Sequence, residues 1–405
     1  SDLENSRKNI YIVDFLMSFI TVFGVVMFLP MFPHIQAVFG VSVSQISWIP
    51  NVAFLTMIIF AILVSKIINK FGIKNLLLIS LILWITGIIL EIVALSSLHF
   101  YVFVIGRFVE GIGEAFMFPL LLSMNKFELK TLASEKIGLS LIEFGAALGG
   151  LISGIISGNF INNPRQFLTI PICFAIIVGV FIIMQLKPVV LIYTDTESQN
   201  KELKESNKAY VSLVLMIFII QTIFSSIQVY LAYYMDAISS PNLTGFVISI
   251  EQILLAIGTI APIVILKKIS LRTTRNIIFL IFVFGTIILS LQISIYLSIL
   301  GFGIMAFSIG VGFTISNICV TKVISTKVSQ KLSIYTAIRN AGGFVLSFIW
   351  GNMIASYRES GQSYGDIFKH LYTFEGIIVI GIFIIIIFMQ KGEVMFKPEF
   401  VQKEL

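Results

Sequence analysis

Apolar runs of about 20 residues recur along the whole chain, separated by short polar breaks, and none alternates as a half-buried strand would. Twelve runs stand out, over residues 9–33, 44–67, 75–95, 99–122, 135–159, 166–187, 209–235, 242–266, 274–296, 298–322, 332–356 and 369–390. A helix of about 20 residues crosses a hydrocarbon layer of about 30 Å. A closed barrel, the other structure that satisfies every backbone group in lipid, needs alternating segments of about ten residues. The expected fold is therefore an all-α integral membrane protein of twelve transmembrane helices. The longest polar stretch, PVVLIYTDTESQNKELKESNK (188–208), falls between the sixth and seventh runs. It predicts an N-terminal six-helix bundle over 1–187, a linker over 188–208, and a second six-helix bundle with a short tail over 209–405. At an offset of 201 residues, Lys66 falls on Lys267, Lys74 on Arg275 and Asn75 on Asn276, each between the second and third helix of its half.

Composition agrees: 57% of residues are hydrophobic and 12% charged, against roughly 25% charged in soluble domains. The first run is too long for a signal-peptide core and lacks a small-residue cleavage site, so it is expected to stay as a spanning helix. With loops and run ends assigned alternately to the two sides, basic residues gather on one (Lys66, Lys70, Lys74, Lys126, Lys130, Lys136, Lys267, Lys268, Arg272, Arg275, Lys322, Lys327, Lys331), and the other holds only Arg165, Arg358 and Lys369. The positive-inside rule then places both termini and the linker in the cytoplasm. Loops facing anionic lipid account for the net charge of +6, and no nucleic-acid partner is implied. Cys173 and Cys319 lie in apolar runs of opposite halves, so a disulfide or metal site is not expected and both read as packing residues.

The candidate chemistry is charge inside the membrane. An ionised side chain at a helix centre costs about 2.5–3.5 kcal/mol on insertion scales, so such residues face protein or water and find partners. Arg107, Glu110, Glu114, Glu143, Glu251 and Arg339 lie well inside runs, while Asp14, Glu91 and Glu375 lie nearer run ends. Arg107 and Glu114, seven apart, return to nearly the same angle with Glu110 about 60° aside, so one face carries all three and is expected to line a central cavity. Gly106 and Gly113 form a separate close-approach stripe, and Ala146, Gly150, Gly154 and Gly158 a ladder on the fifth helix. Glu143 precedes that ladder, and its counterpart in the eleventh helix falls close to Arg339. A carboxyl group whose distance to a cation changes between two conformations is a proton switch. Arg107, Glu110, Glu114 and Glu143 are the expected proton-coupling residues. Glu251, Arg339, Gln221, Gln228, Asn317 and Asp14 are the expected substrate-binding residues, and Tyr230, Tyr233 and Tyr234 read as an interfacial aromatic belt. No phosphate-cradling loop, metal-ligand cluster or nucleophile triad is present, so neither an enzyme nor a bound cofactor is expected, and ATP is not the expected energy source.

Two six-helix halves related by a parallel repeat are the layout of alternating-access transporters, and four stretches carry a named resemblance. MFPHIQAVFGVSVSQISWI (31–49) is similar to a Leu-Pro-x-Ile element followed by a short loop and a tryptophan, with Pro33, Ile35 and Trp48 in those places. SKIINKFGIKN (65–75) resembles a Gly, Asp, Gly-plus-basic loop; Gly72 and Lys74 match, while Ser65, Asn69 and Ile73 replace a glycine, the aspartate and an arginine. VIGRFVEGIGEAF (104–116) matches a helix-4 pattern at Arg107, Gly111 and Gly113, with Glu110 where glutamine is usual and Glu114 where a small residue is usual. EFGAALGGLISG (143–154) is similar to an antiporter motif at Gly145, Gly149 and Gly150, with Ala146 for its proline. Over essentially the whole chain the sequence resembles the major facilitator superfamily, and within it the drug–proton antiporters. The resemblance implies a monomeric, proton-coupled exporter in the plasma or inner membrane. Ser65, Asn69, Gly72, Lys74, Gly145, Gly149 and Gly150 would form its conformational motifs, with protons, lipid and a small organic molecule as partners. The cargo would be drug-like, or polar and anionic as in a metallophore or siderophore, given the interior arginines. A symporting importer or a non-transporting receptor on the same fold is the alternative.

Overall fold

The computed structural model describes residues 2–28, 31–41, 45, 48–189 and 206–397. Among these residues there is no strand, and twelve helices are of spanning length: α1 (Asp2–Val26), α2 (Trp48–Phe71), α3 (Ile73–Ser97), α4 (Phe100–Glu128), α5 (Leu132–Asn159), α6 (Pro164–Gln185), α7 (Asn207–Gln228), α8 (Thr244–Ile260), α9 (Leu271–Leu291), α10 (Ile295–Val323), α11 (Val328–Glu359) and α12 (Tyr364–Gln390). Eleven of them are long and apolar enough to cross a membrane. The exception, α4, is 29 residues long, but Arg107, Glu110 and Glu114 interrupt its apolar run.

Helix starts follow local chemistry. Thr131, Ser206, Ser270, Ser294 and Ser363 each accept a backbone N–H in the first turn of α5, α7, α9, α10 and α12, a cap that contributes about 1 kcal/mol. Pro164 opens α6, where a missing N–H costs nothing. Boundaries move from the expected ones where the polar sequence is itself helical. The first helix begins at Asp2, well before residue 9, and carries an exposed Lys8–Glu4 pair of 3.2 Å on that extension. The seventh run divides: α7 ends at Gln228, and a short helix, Leu231–Ala237, follows. Most of the linker expected at 188–208 lies outside the described residues.

The chain divides into two compact units, residues 1–196 with 327–337, and residues 197–326 with 338–405. In the first, α3 lies on α4 where Gly106 meets the Gly87 carbonyl and Gly113 the backbone of Ser80 and Trp84, so the expected Gly106/Gly113 stripe is a helix seam. Helix α1 lies on α5: Gly145 and Gly149 sit against the Phe15 and Phe19 carbonyls, and Ser153 Oγ donates to Phe23 O at 3.1 Å. That seam is 145/149/153, one position around the helix from the ladder read in the sequence. A Cβ added to Gly154 or Gly158 meets nothing within 4 Å. A ladder picked by side-chain size alone passes over serine, whose hydroxyl here bonds to the neighbouring backbone.

In the second unit α8 lies on α10, with Gly258 against the Phe307 carbonyl, Gly310 against that of Leu255, and Thr314 Oγ1 donating to Thr259 O at 2.7 Å. Helix α9 stacks on α12 through Phe279 and Phe383, ring centroids 4.7 Å apart. Gly342 of α11 meets the Phe218 carbonyl of α7.

Candidate functional site

Helix α4 carries the densest buried polar group in the first unit. Arg107, Glu110 and Glu114 share one face, as their spacing requires, and that face meets α1 and α3. Arg107 Nη1 donates to Glu110 Oε2 at 2.9 Å and to the main-chain oxygen of Gly24 at 3.0 Å. Its guanidinium carbon lies 5.1 Å from the centre of the Phe28 ring. Trp84 Nε1 donates to Glu114 Oε1 at 3.2 Å. Glu91 comes in from α3 beside Gly106, whose hypothetical Cβ would stand 2.8 Å from Glu91 Cγ. Arg107 and the three glutamates are each no more than 1% exposed.

Gly24 is the residue that lets α1 come this close. A Cβ there would run into Glu114 Oε1, Trp84 Nε1 at 2.6 Å and Glu110 Oε1 at 2.8 Å. Helix α1 therefore offers a bare carbonyl to the arginine, where any other residue would push a side chain into it. Apart from carboxyl-to-carboxyl contacts of Glu91 and Glu114 with Glu110, the Glu91 oxygens, Glu110 Oε1, Glu114 Oε2 and Arg107 Nε have no hydrogen-bond partner among the described residues. One guanidinium thus faces three carboxyl groups. Burying uncompensated charge costs several kcal/mol, and one guanidinium offsets the charge of a single carboxylate.

Trp84 and Glu91 had no role in the sequence reading, and Glu91 read as lying near a helix end; it is fully buried. A usable signal was present. Trp84 and Glu91 are seven apart on α3, and Gly106 and Gly113, which they face, are seven apart on α4. Two matched heptad stripes, one polar and one of glycine, mark such a seam.

The other expected residues of the first unit are distributed. Asp14 is fully buried, and Asn125 Nδ2 lies 2.9 Å from both its oxygens, tying α1 to α4. Glu143 is buried on α5. In the 65–75 stretch Gly72 alone joins α2 to α3, with φ +75°, a conformation that favours glycine. Lys74 Nζ donates to the Ile183 carbonyl near the end of α6 at 3.1 Å. Ser65, inside α2, donates its hydroxyl back to Ile62 O, and Asn69 is exposed.

In the second unit Glu251 is fully buried and Asn317 is buried on α10. Arg339 Cζ lies over the Phe313 ring, 4.0 Å from its centre, with Nε 3.4 Å from Gln221 Oε1. Gln221 and Gln228 are half-buried. Tyr234 departs from the aromatic-belt reading: it is fully buried, its hydroxyl bonded to Leu289 O at 2.9 Å and Ser298 Oγ at 3.0 Å, because a break after α7 turns its ring inward. Cys319 is buried as expected of a packing residue, whereas Cys173 is exposed on α6.

Comparison with known proteins places this architecture. Among solved structures, the proton:xylose symporter XylE, bound to 6-bromo-6-deoxy-D-glucose, superposes with a TM-score of 0.74 at 15% identity, 99% of each chain being covered. The human organic anion transporter MFSD10 gives 0.70 at 15% identity, with 92% of this chain and 99% of that one covered. A bacterial homologue of the iron transporter ferroportin, outward-facing, gives 0.75 at 11% identity, with 95% and 99% covered. At such identities the likeness is one of fold. No curated protein sequence matches the chain. The sequence model of the Major Facilitator Superfamily matches residues 15–390, nearly the whole described structure. With its long apolar helices and a family model running through both units, the chain belongs to the Major Facilitator Superfamily and is a multi-pass membrane transporter.

Proposed function

We propose that the protein is a proton-coupled exporter of a small organic molecule, working by alternating access in the plasma or inner membrane with both termini in the cytoplasm. The observation that carries the proton coupling is the three-to-one excess of buried carboxyl groups over guanidinium around Arg107. Glu110 is the exchanging acid closest to Arg107, Glu114 is held by Trp84, and Glu91 adds a third carboxyl group. The match of Gly145, Gly149 and Gly150 to an antiporter motif supports the outward direction. Arg339, over Phe313 and beside Gln221, offers a planar cation suited to a carboxylate-bearing cargo. Asp14, occupied by Asn125, serves α1–α4 packing in this reading and is withdrawn from cargo binding.

Inverted membrane vesicles with an imposed pH gradient test the reading. Proton-driven uptake into them is expected, and Glu110→Gln is expected to leave cargo exchange while removing its response to the gradient. Gradient-driven flux unchanged in Glu110→Gln, Glu114→Gln and Glu91→Gln alike would refute the coupling site. A second reading, symport into the cell, is favoured by one observation: two of the similar folds are described as symporters, of xylose and of fucose with a proton. Uptake by right-side-out vesicles under an inward proton gradient would select it. Metabolite profiling of cells with and without the gene names the cargo.

A further inference from the structure

Beyond α12 the chain reverses and returns to the second unit. Gly392, just past the end of that helix, has φ +86°, in the left-handed region that favours glycine. The Glu393 N–H donates to Gln390 O at 3.2 Å and the Phe396 N–H to Glu393 O at 3.1 Å, around a single 3₁₀ turn, Val394–Phe396. The reversal leaves Met395 and Phe396 buried.

Three helix ends meet at this turn. Ser206 Oγ, which caps α7 by accepting the Ala209 N–H at 3.2 Å, also donates to Glu393 Oε1 at 2.8 Å. Gln390, the last residue of α12, accepts from Arg275 Nη1 of α9 through its Oε1 and donates from Nε2 to Ser212 Oγ of α7 at 3.1 Å. Arg275 is buried, with its Cζ 5.4 Å from the centre of the Phe396 ring. Its remaining hydrogen bonds run to Asn276 Oδ1, from Nε at 3.0 Å and Nη2 at 2.7 Å. A buried cation whose hydrogen-bond partners are amide oxygens depends on every surface that shields it, and the Phe396 ring is one such surface. Lys74, at the equivalent place in the first unit, is half-buried and bonds to the Ile183 carbonyl instead.

We propose that residues 391–396 form a strap across the ends of α7, α9 and α12, anchored by Phe396 on Arg275, that couples the C-terminal tail to the start of α7. Ser206 belongs to the polar stretch 188–208, so the strap fixes the place where that stretch enters the second unit. One ring, one side-chain hydrogen bond and one glycine turn hold it, so it can open without unfolding α12. Opening removes the Glu393 acceptor from Ser206 and uncovers Arg275. The strap shares no residue with the Arg107 cluster and is independent of the direction of transport.

Amide hydrogen exchange of the purified full-length protein, read peptide by peptide in a mass spectrometer, tests the coupling. Phe396→Ala takes the ring from Arg275. Gly392→Val strains the turn without a clash, since an added Cβ there meets nothing within 4 Å. Each is expected to speed exchange about tenfold in the first turns of α7 and α9, residues 206–212 and 271–276, as well as in 391–396. Glu393→Ala should do so at α7, and Glu393→Gln, which keeps an oxygen for Ser206, should restore the slow exchange. Lys391→Ala, at an exposed position, should change nothing at either helix. Faster exchange confined to 391–396 in both Phe396→Ala and Gly392→Val would overturn the proposal, because the turn would then be a passive chain end. A measurement on the unaltered protein covers variants that fail to fold. Trypsin should cut after Lys391 at least about tenfold more slowly in the folded protein than in a synthetic peptide of residues 388–400. Equal cutting rates would likewise overturn the strap.

Discussion

The two units bury acid in opposite ways. In the first, Glu91, Glu110 and Glu114 gather around Arg107, and Asp14 is held by Asn125, so the acids are tied into contacts linking α1, α3 and α4. In the second, Glu251 lies beside Gln228 and Glu375 beside Ser226, neither in an ion pair among the described residues, and the arginine of the eleventh helix, Arg339, lies over a phenylalanine instead. A buried ion pair is sensitive to the loss of one partner, because the survivor is left charged. A lone neutral acid is indifferent to an isosteric amide. The contrast therefore separates acids gathered around a buried cation from acids buried without one.

Breaking the first arrangement gives the largest expected effect. Arg107→Ala should lower the unfolding free energy by about 3–5 kcal/mol, read from denaturation of the purified protein. Adding Glu110→Gln to it should recover part of the loss; a double variant no more stable than Arg107→Ala would break the comparison. Next, Gly149→Leu should cost about 1–3 kcal/mol through overpacking against Phe19. The same change at Gly154, whose added Cβ meets open space, should stay within about 0.5 kcal/mol. Asn125→Ala, which strips Asp14 of its donor, should cost about 1–3 kcal/mol. Smallest of all is Glu375→Gln in the second unit, expected within about 0.5 kcal/mol of wild type at neutral pH. A loss there comparable to that of Asn125→Ala would erase the distinction between the units.

The helices were legible because a span of lipid demands a long apolar run, and the clustering of Arg107, Glu110 and Glu114 followed from 3.6 residues per turn alone. What the sequence withheld is which neighbour each face meets. Glu91 read as peripheral because its depth was judged from its place in an apolar run, whereas Gly87 and Gly106 let α3 and α4 close until it is sealed in. The α1–α5 seam shifted by one residue because Ser153 bonds to a carbonyl that only the folded pair brings within reach. Tyr234 turned inward because the chain breaks at Val229–Tyr230, with no proline or glycine there to announce it. The repeat at an offset of 201 carried more than its weak identity implied. Lys74 reaches the end of α6, and Arg275, its counterpart, bonds to Gln390 at the end of α12. The same fastening between the third and sixth helices is kept in both halves with different donors and acceptors.

Gly24 gives α1 a mechanical position that its composition does not advertise. The helix lends one carbonyl to Arg107 at Gly24, and three more, at Phe15, Phe19 and Phe23, to the tightly meshed face of α5. One side of α1 is thus fastened to α5 and the next carbonyl along it to the guanidinium. In the proposed coupling, a tilt of α1 that lengthened the Gly24–Arg107 bond would change the company the arginine keeps with its acids.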